Sequence, residues 1–177
     1  MTDARRATTP TGRFLFNLVR DWGFALGVAF LAWTIWVRFL APGPLSSGPA
    51  PGFTLPDPAG GNIALSNLGE GPILLNFWFT SCGPCRAEMP EIARFHANHP
   101  EIPLIGVSID DMPAQRLAHL SRQLGITWPV AQDAGASVSQ AYGVSSFPTT
   151  ILVRDGQIED VHLGAINAAG LERLVAP

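Results

Sequence analysis

Cys82-Gly83-Pro84-Cys85 joins two segments of opposite character. Before it, Ile73-Leu74-Leu75-Asn76-Phe77-Trp78-Phe79 is apolar and rich in strand formers. After it, Arg86-Ala87-Glu88-Met89-Pro90-Glu91-Ile92-Ala93-Arg94-Phe95 reads as a helix. A sulfur at that junction lies at a helix N-terminus, where unpaired N–H groups and the macrodipole favour the thiolate, the nucleophilic form. These are the only two cysteines in the 177 residues. One pair, three apart and at a reactive position, points to thiol–disulfide exchange. Cys82 is the attacking sulfur, and Cys85, one helical turn on and more buried, is the resolving one. Gly83 and Pro84 keep the turn between them tight. No bound cofactor is expected, because the redox group is the Cys82–Cys85 disulfide itself.

Spacing alone leaves two other uses of such a pair open, a structural bridge and half of a metal site. His96-Ala97-Asn98-His99 offers imidazoles downstream. Cys85 and His96, however, lie ~16 Å apart along one helix, too far to share an ion held at ~2 Å. No metal is expected, and the two histidines read as a solvent-exposed helix end.

The rest of the second half of the chain alternates strand and helix signals. Phe53-Thr54-Leu55 and Ile63-Ala64-Leu65 form a short hairpin around Gly60-Gly61, and residues 73–79 a buried strand. A helix over 82–96 precedes a strand over 103–109. Pro113 opens a helix that runs to Leu124, with Leu117, Leu120 and Leu124 on one face and Gly125 as its stop. A short helix over 136–142 leads to Pro148. Strands over 150–153 and 158–163 flank Asp155-Gly156, a hairpin turn. Asn167 caps a last helix over 168–175. The expected architecture is α/β, a mixed sheet with helices on both faces.

Two stretches carry a family resemblance. Asn76-Phe77-Trp78-Phe79-Thr80-Ser81-Cys82-Gly83-Pro84-Cys85-Arg86-Ala87-Glu88-Met89-Pro90 resembles the active-site segment of membrane-anchored thioredoxin-like proteins of the TlpA/ResA type, within the redoxin family. Ala141-Tyr142-Gly143-Val144-Ser145-Ser146-Phe147-Pro148-Thr149-Thr150 resembles the thioredoxin-fold loop that carries a cis-proline facing the disulfide. The resemblance covers residues 51–175 and implies a thioredoxin-like fold. It also implies that Pro148, preceded by Phe147, abuts the disulfide and presents backbone to an extended substrate. Glu88, three residues after Cys85, takes the place of a glutamate that tunes thiol protonation, which makes it a candidate proton relay; the plain alternative is a solvated carboxylate. Asn76 stands where thioredoxins proper carry a buried aspartate. An asparagine cannot take up a proton, so it either leaves that task to Glu88 or only satisfies backbone groups. Trp78 reads as core and platform. The opening Pro51-Gly52-Phe53-Thr54-Leu55-Pro56 is also found in peroxiredoxins, but Phe79 and Leu75 replace the threonine and proline of their pattern, which argues against a peroxidase.

Charged residues make up 14% of the chain, against ~25% in soluble domains. The apolar excess lies near the N-terminus. Trp22 to Val37 contains no charged residue, and the run continues past Arg38 to Ala41. Twenty residues at ~1.5 Å each span one hydrocarbon core. Arg5, Arg6, Arg13 and Arg20 precede the segment, and past Arg38 the next arginine is Arg86, so the positive-inside rule keeps the N-terminus cytoplasmic. The expected organisation is a cytoplasmic tail over 1–20 and one transmembrane anchor over 21–41. A Pro/Gly/Ser linker over 42–52 leads to a thioredoxin-like domain over 53–177. A cleaved signal peptide is the alternative, and the best small-x-small site, Gly48-Pro49-Ala50, is followed by a proline.

The expected protein is an extracytoplasmic thiol–disulfide oxidoreductase, single-pass in the inner membrane with its domain in the periplasm and lipid held by residues 22–41. Its expected direction is reduction of protein disulfides. The partners are then a disulfide-containing extracytoplasmic protein and a membrane-embedded thiol electron donor, since an oxidising compartment re-forms disulfides. A disulfide oxidase or isomerase on the same scaffold is the alternative enzyme, and an anchored binding module with a structural bridge the alternative without catalysis. The net charge of −3 and the lack of a basic stripe give no reason to expect a nucleic-acid partner.

Overall fold

The computed structural model describes residues 10–35 and 46–176, and the chain divides into two units, residues 1–42 and 43–177. In the first unit helix α1 runs Pro10–Ile35, so it begins within the expected tail. Trp22, Leu26, Phe30 and Trp33 are each 61–66% exposed. Arg13, Arg20 and Asp21 fall within the helix. Among the described residues no helix is long and apolar enough to cross a membrane. Residues 36–41, the last part of the expected anchor, lie outside the described residues.

In the second unit the elements follow the order the sequence predicts, with two additional strands and a 3₁₀ turn at Leu65–Asn67. Strands β1 (Gly48–Pro49), β2 (Thr54–Pro56) and β3 (Asn62–Ala64) precede the central strand β4 (Pro72–Trp78). Helix α2 (Gly83–Asn98), strand β5 (Leu104–Ser108), helix α3 (Ala114–Gln123) and strand β6 (Val130–Gln132) follow. Helix α4 (Ser137–Ala141), the pair β7 (Thr149–Arg154) and β8 (Gln157–Leu163), and helix α5 (Ala168–Val175) complete the unit. The sheet order is β1-β8-β7-β4-β5-β6, with β2 and β3 forming a separate hairpin. β4 runs parallel to β5 and antiparallel to β7.

The additional strands are β6 and β1. Gly48 and Pro49, in the stretch expected as linker, pair with Ile158 and Gln157, and Ala50 N–H donates to Gly156 O at 2.9 Å. Tyr142, buried so that its phenol is held well above the ordinary range, donates to Pro51 O at 2.9 Å. Residues 48–51, within the expected linker, are therefore bound to the domain.

Alternation along β4 divides the interior in two. Leu74 and Trp78 face a core built with α2, α3 and α5, including Met89, Ile92, Phe95, Leu117 and Leu171. Ile73, Leu75 and Phe77 face the other side, where Phe53, Leu55, Val138 and Tyr142 cover them. A strand buried on both faces reads as a continuous apolar run, and its one interruption is Asn76. Local chemistry fixes the ends. Asn167 Oδ1 accepts from Gly170 N–H at 2.8 Å as the cap of α5. Asp155 and Gly156, at φ 50° and 74°, form the β7–β8 turn, which favours residues tolerant of that conformation. At Gly106 a Cβ would lie 2.9 Å from Trp78 Nε1 and 3.1 Å from Trp128 Nε1, so the indoles pack where a side chain would otherwise stand.

Candidate active site

Cys82 is the residue that caps α2, and Cys85 lies in its first turn. Their sulfurs are bonded, with the Cα atoms 5.3 Å apart. Cys82 Sγ accepts from Cys85 N–H at 3.2 Å, the contact expected of a sulfur at a helix N-terminus. Gly83 and Pro84 are exposed, Cys82 is 5% exposed and Cys85 is fully buried. A partner therefore reaches Cys82 first.

The cis-proline is where the sequence places it. The Phe147–Pro148 bond is cis, and Pro148 O accepts from Gly164 N–H at 2.9 Å. Thr149, which follows it, is in register with Phe77 on β4, so the loop stands beside the chain that leads into Cys82. Phe79 from one loop and Phe147 from the other meet edge to face, with centroids 5.4 Å apart, and both pack against the core that contains the disulfide.

Glu88 is 2% exposed, so it is not a solvated carboxylate. Its Oε1 accepts from Asn76 Nδ2 at 2.9 Å and its Oε2 from Ile166 N–H at 3.0 Å. Desolvation by burial pushes its pKa up from 4.5 to about 6, against the lowering effect of those two bonds. Asn76 also donates to Thr150 Oγ1 at 3.1 Å, and its own Oδ1 has no partner in the structure. The asparagine thus serves two side chains rather than backbone groups. Trp78 is fully buried in the core beside Cys82 and Cys85. His96 is not simply a solvated helix end: its ring stands edge to face with Trp128 at 6.2 Å. His99 packs on Phe95 at 4.7 Å and lies 3.2 Å from Glu101.

Sequence reading missed Asp110. Its carboxylate accepts from Thr80 N–H and from Thr80 Oγ1, each at 2.8 Å, two residues before Cys82. The only local sign was an Asp at the end of a strand, which reads as a stop rather than as a contact made thirty residues away.

Residues 47–161 match the AhpC/TSA family. The thiol-disulfide oxidoreductase ResA of Halalkalibacterium halodurans is 31% identical over 150 residues, 82% of this chain and 85% of that protein. ResA of Bacillus subtilis is 32% identical over 120 residues, 66% of each chain. Among solved structures, a Chlorobium tepidum protein provisionally described as thiol:disulfide interchange protein DsbE superposes with a TM-score of 0.66 at 27% identity, covering 73% of this chain and 94% of its own. StoA from Bacillus subtilis, at 23% identity and a TM-score of 0.63, covers 72% of this chain and 98% of its own, and shares the fold.

Proposed function

The chain belongs to the AhpC/TSA family and is a redox enzyme of the thiol–disulfide oxidoreductase kind; from that premise we propose that it reduces disulfides of extracytoplasmic proteins from a membrane anchor. The observation that carries the reading is the asymmetry of the pair. Cys82 caps α2 with 5% of its surface exposed, and Cys85 behind it is fully buried. Cys82 thiolate attacks one sulfur of the substrate disulfide, forming a mixed disulfide and releasing the other sulfur as thiolate. Cys85 thiolate then attacks Cys82 Sγ and releases the second substrate thiolate. Two electrons pass to the substrate and the Cys82–Cys85 bond forms.

Glu88 takes the proton that Cys85 gives up before it attacks. A carboxylate with a pKa of about 6 is mostly ionised at neutral pH yet basic enough to share a thiol's proton. Gly83-Pro84 between the cysteines resembles the reducing thioredoxins and favours the reducing direction. The pair must then be re-reduced by a thiol donor in the membrane. The uncharged run 22–37 in the sequence and the exposed apolar side chains of α1 support a membrane anchor.

Thiol trapping in intact cells tests direction and side together. The pair is expected to be mostly reduced at steady state and to react with a membrane-impermeant maleimide added from outside. A pair found mostly oxidised contradicts reduction, and labelling only after lysis contradicts the location.

A further inference from the structure

The loop that delivers Cys82 to the head of α2 has few hydrogen bonds holding it, beyond the packing of Phe79 on Phe147. Phe79, Thr80 and Ser81 lie beyond the end of β4, and the one backbone bond inside the loop runs from Cys82 N–H to Phe79 O at 3.2 Å. Among the described residues Ser81 has no hydrogen-bond partner, and Thr80 has one partner residue, Asp110. That contact is two-pronged. Thr80 N–H donates to Oδ2 and Thr80 Oγ1 to Oδ1, both at 2.8 Å, so the carboxylate fixes the backbone and side chain of one residue together.

Asp110 is itself held from behind. Ser108 Oγ donates to its Oδ2 at 2.8 Å, and its own N–H donates to Ser108 Oγ at 3.2 Å. Gln132 Nε2 donates to Asp110 O at 3.0 Å and to Met112 O at 2.7 Å. Trp78, Ser108 and Gln132 are the last residues of β4, β5 and β6. Asp110 therefore ties the redox loop to the end of β5 through its carboxylate, and its own carbonyl is held from the end of β6. No arginine or histidine pairs with it among the described residues, so its bonds go to hydroxyl and amide donors and not to a cation.

We propose that Asp110 is a positioning residue: through Thr80 it holds the loop so that Cys82 Sγ stays on the N-terminal N–H groups of α2. The consequence is kinetic. A thiolate at a helix N-terminus is stabilised only while it stays within the first turn, and a loop freed from its anchor lets the sulfur leave that position. A second role for the same carboxylate would act with the opposite sign. A negative charge near Cys82 disfavours its thiolate, so if charge were all that mattered, removing it would speed reaction at Cys82.

The inference rests on Cys82 being the attacking thiol, and the test separates the two claims. Full-length protein in detergent micelles is reduced and alkylated with iodoacetamide over a range of pH. The site of first labelling is read by mass spectrometry, and a melting curve confirms that each variant is folded at the working temperature. First labelling of the wild-type protein elsewhere than Cys82 overturns the reading of the pair. With Cys82 labelled first, Asp110→Asn is expected to slow alkylation at pH 7 about tenfold, the scale of one lost hydrogen bond to a charged group. Thr80→Val, which keeps the charge, is expected to slow it less, about threefold, because the Thr80 N–H bond to the carboxylate remains. Both move the midpoint of the pH profile upward. The double variant is no slower than Asp110→Asn alone, because both changes act on one contact. Faster alkylation in Asp110→Asn, or wild-type rates and midpoint in Thr80→Val, overturns the positioning role. If Asp110→Asn does not fold, Thr80→Val decides alone.

Discussion

Cys85→Ser protein is expected to accumulate as a covalent adduct with its substrates through Cys82. The first step leaves a mixed disulfide between Cys82 and the substrate, and only the sulfur of Cys85, fully buried directly beneath it, is placed to resolve it. With that sulfur gone the adduct waits for an outside thiol. Cys82→Ser removes the attacking group itself. Turnover in that variant is expected to fall by about three orders of magnitude or more, the scale on which loss of a covalent nucleophile registers. Non-reducing gels followed by mass spectrometry check the adduct, and reduction of a model disulfide such as insulin checks the rate. An anchored binding module whose bridge is structural gives neither effect: Cys85→Ser traps nothing, and Cys82→Ser binds its partner as the parent does.

Glu88→Gln is expected to make the enzyme slower and more stable at once. Burial raises the carboxyl to about 6 from 4.5, so the folded protein resists ionising it. The sign is that of a raised acid: the unfolded chain releases this proton first, and folding bears no penalty below about pH 4.5. The penalty grows as pH rises between 4.5 and about 6 and is constant above that. One and a half pH units correspond to about 2 kcal/mol. Glutamine avoids this cost. Its Nε2 would displace one of the two donors Glu88 now accepts, and Asn76 can answer by turning its unpartnered Oδ1 towards the new N–H. Denaturant unfolding at pH 8 is expected to show Glu88→Gln more stable by up to that amount, with the gain disappearing by pH 4. Exchange is expected to slow by about a hundredfold or more, since one positioned proton acceptor is lost. Equal rates in the two proteins from pH 5 to 8 would remove Glu88 from the proton path.

What could be read from the chain was what local chemistry encodes. Cys82 at the start of α2, Pro113 before α3, Asn167 before α5 and Asp155-Gly156 between β7 and β8 each act within four residues of themselves, and each lies where its type predicts. β6 escaped because three residues, one of them the polar Gln132, give no periodicity to detect. β1 escaped because Gly48 and Pro49 have the composition of a spacer, and only their pairing with Ile158 and Gln157 makes them a strand. The same limit applies at the site. The cysteines and Pro148 announce themselves by motif, and Glu88 by its place after Cys85. The bond from Ile166 N–H to Glu88 spans 78 positions and the grip of Asp110 on Thr80 spans 30. Neither has a sequence signature, because each depends on where the fold brings distant segments together. Asn76 was legible as an oddity in an apolar strand, and its two side-chain partners became visible only once α2 and β7 were in place.

The reduction potential of the Cys82–Cys85 pair, measured by equilibrating the protein against dithiol buffers of known poise, tests the reductase claim most directly. A value at or below about −230 mV, the thioredoxin and glutaredoxin range, is the predicted result and means that the pair gives electrons to protein disulfides. A value near −120 mV, as for a strong disulfide donor, would contradict it.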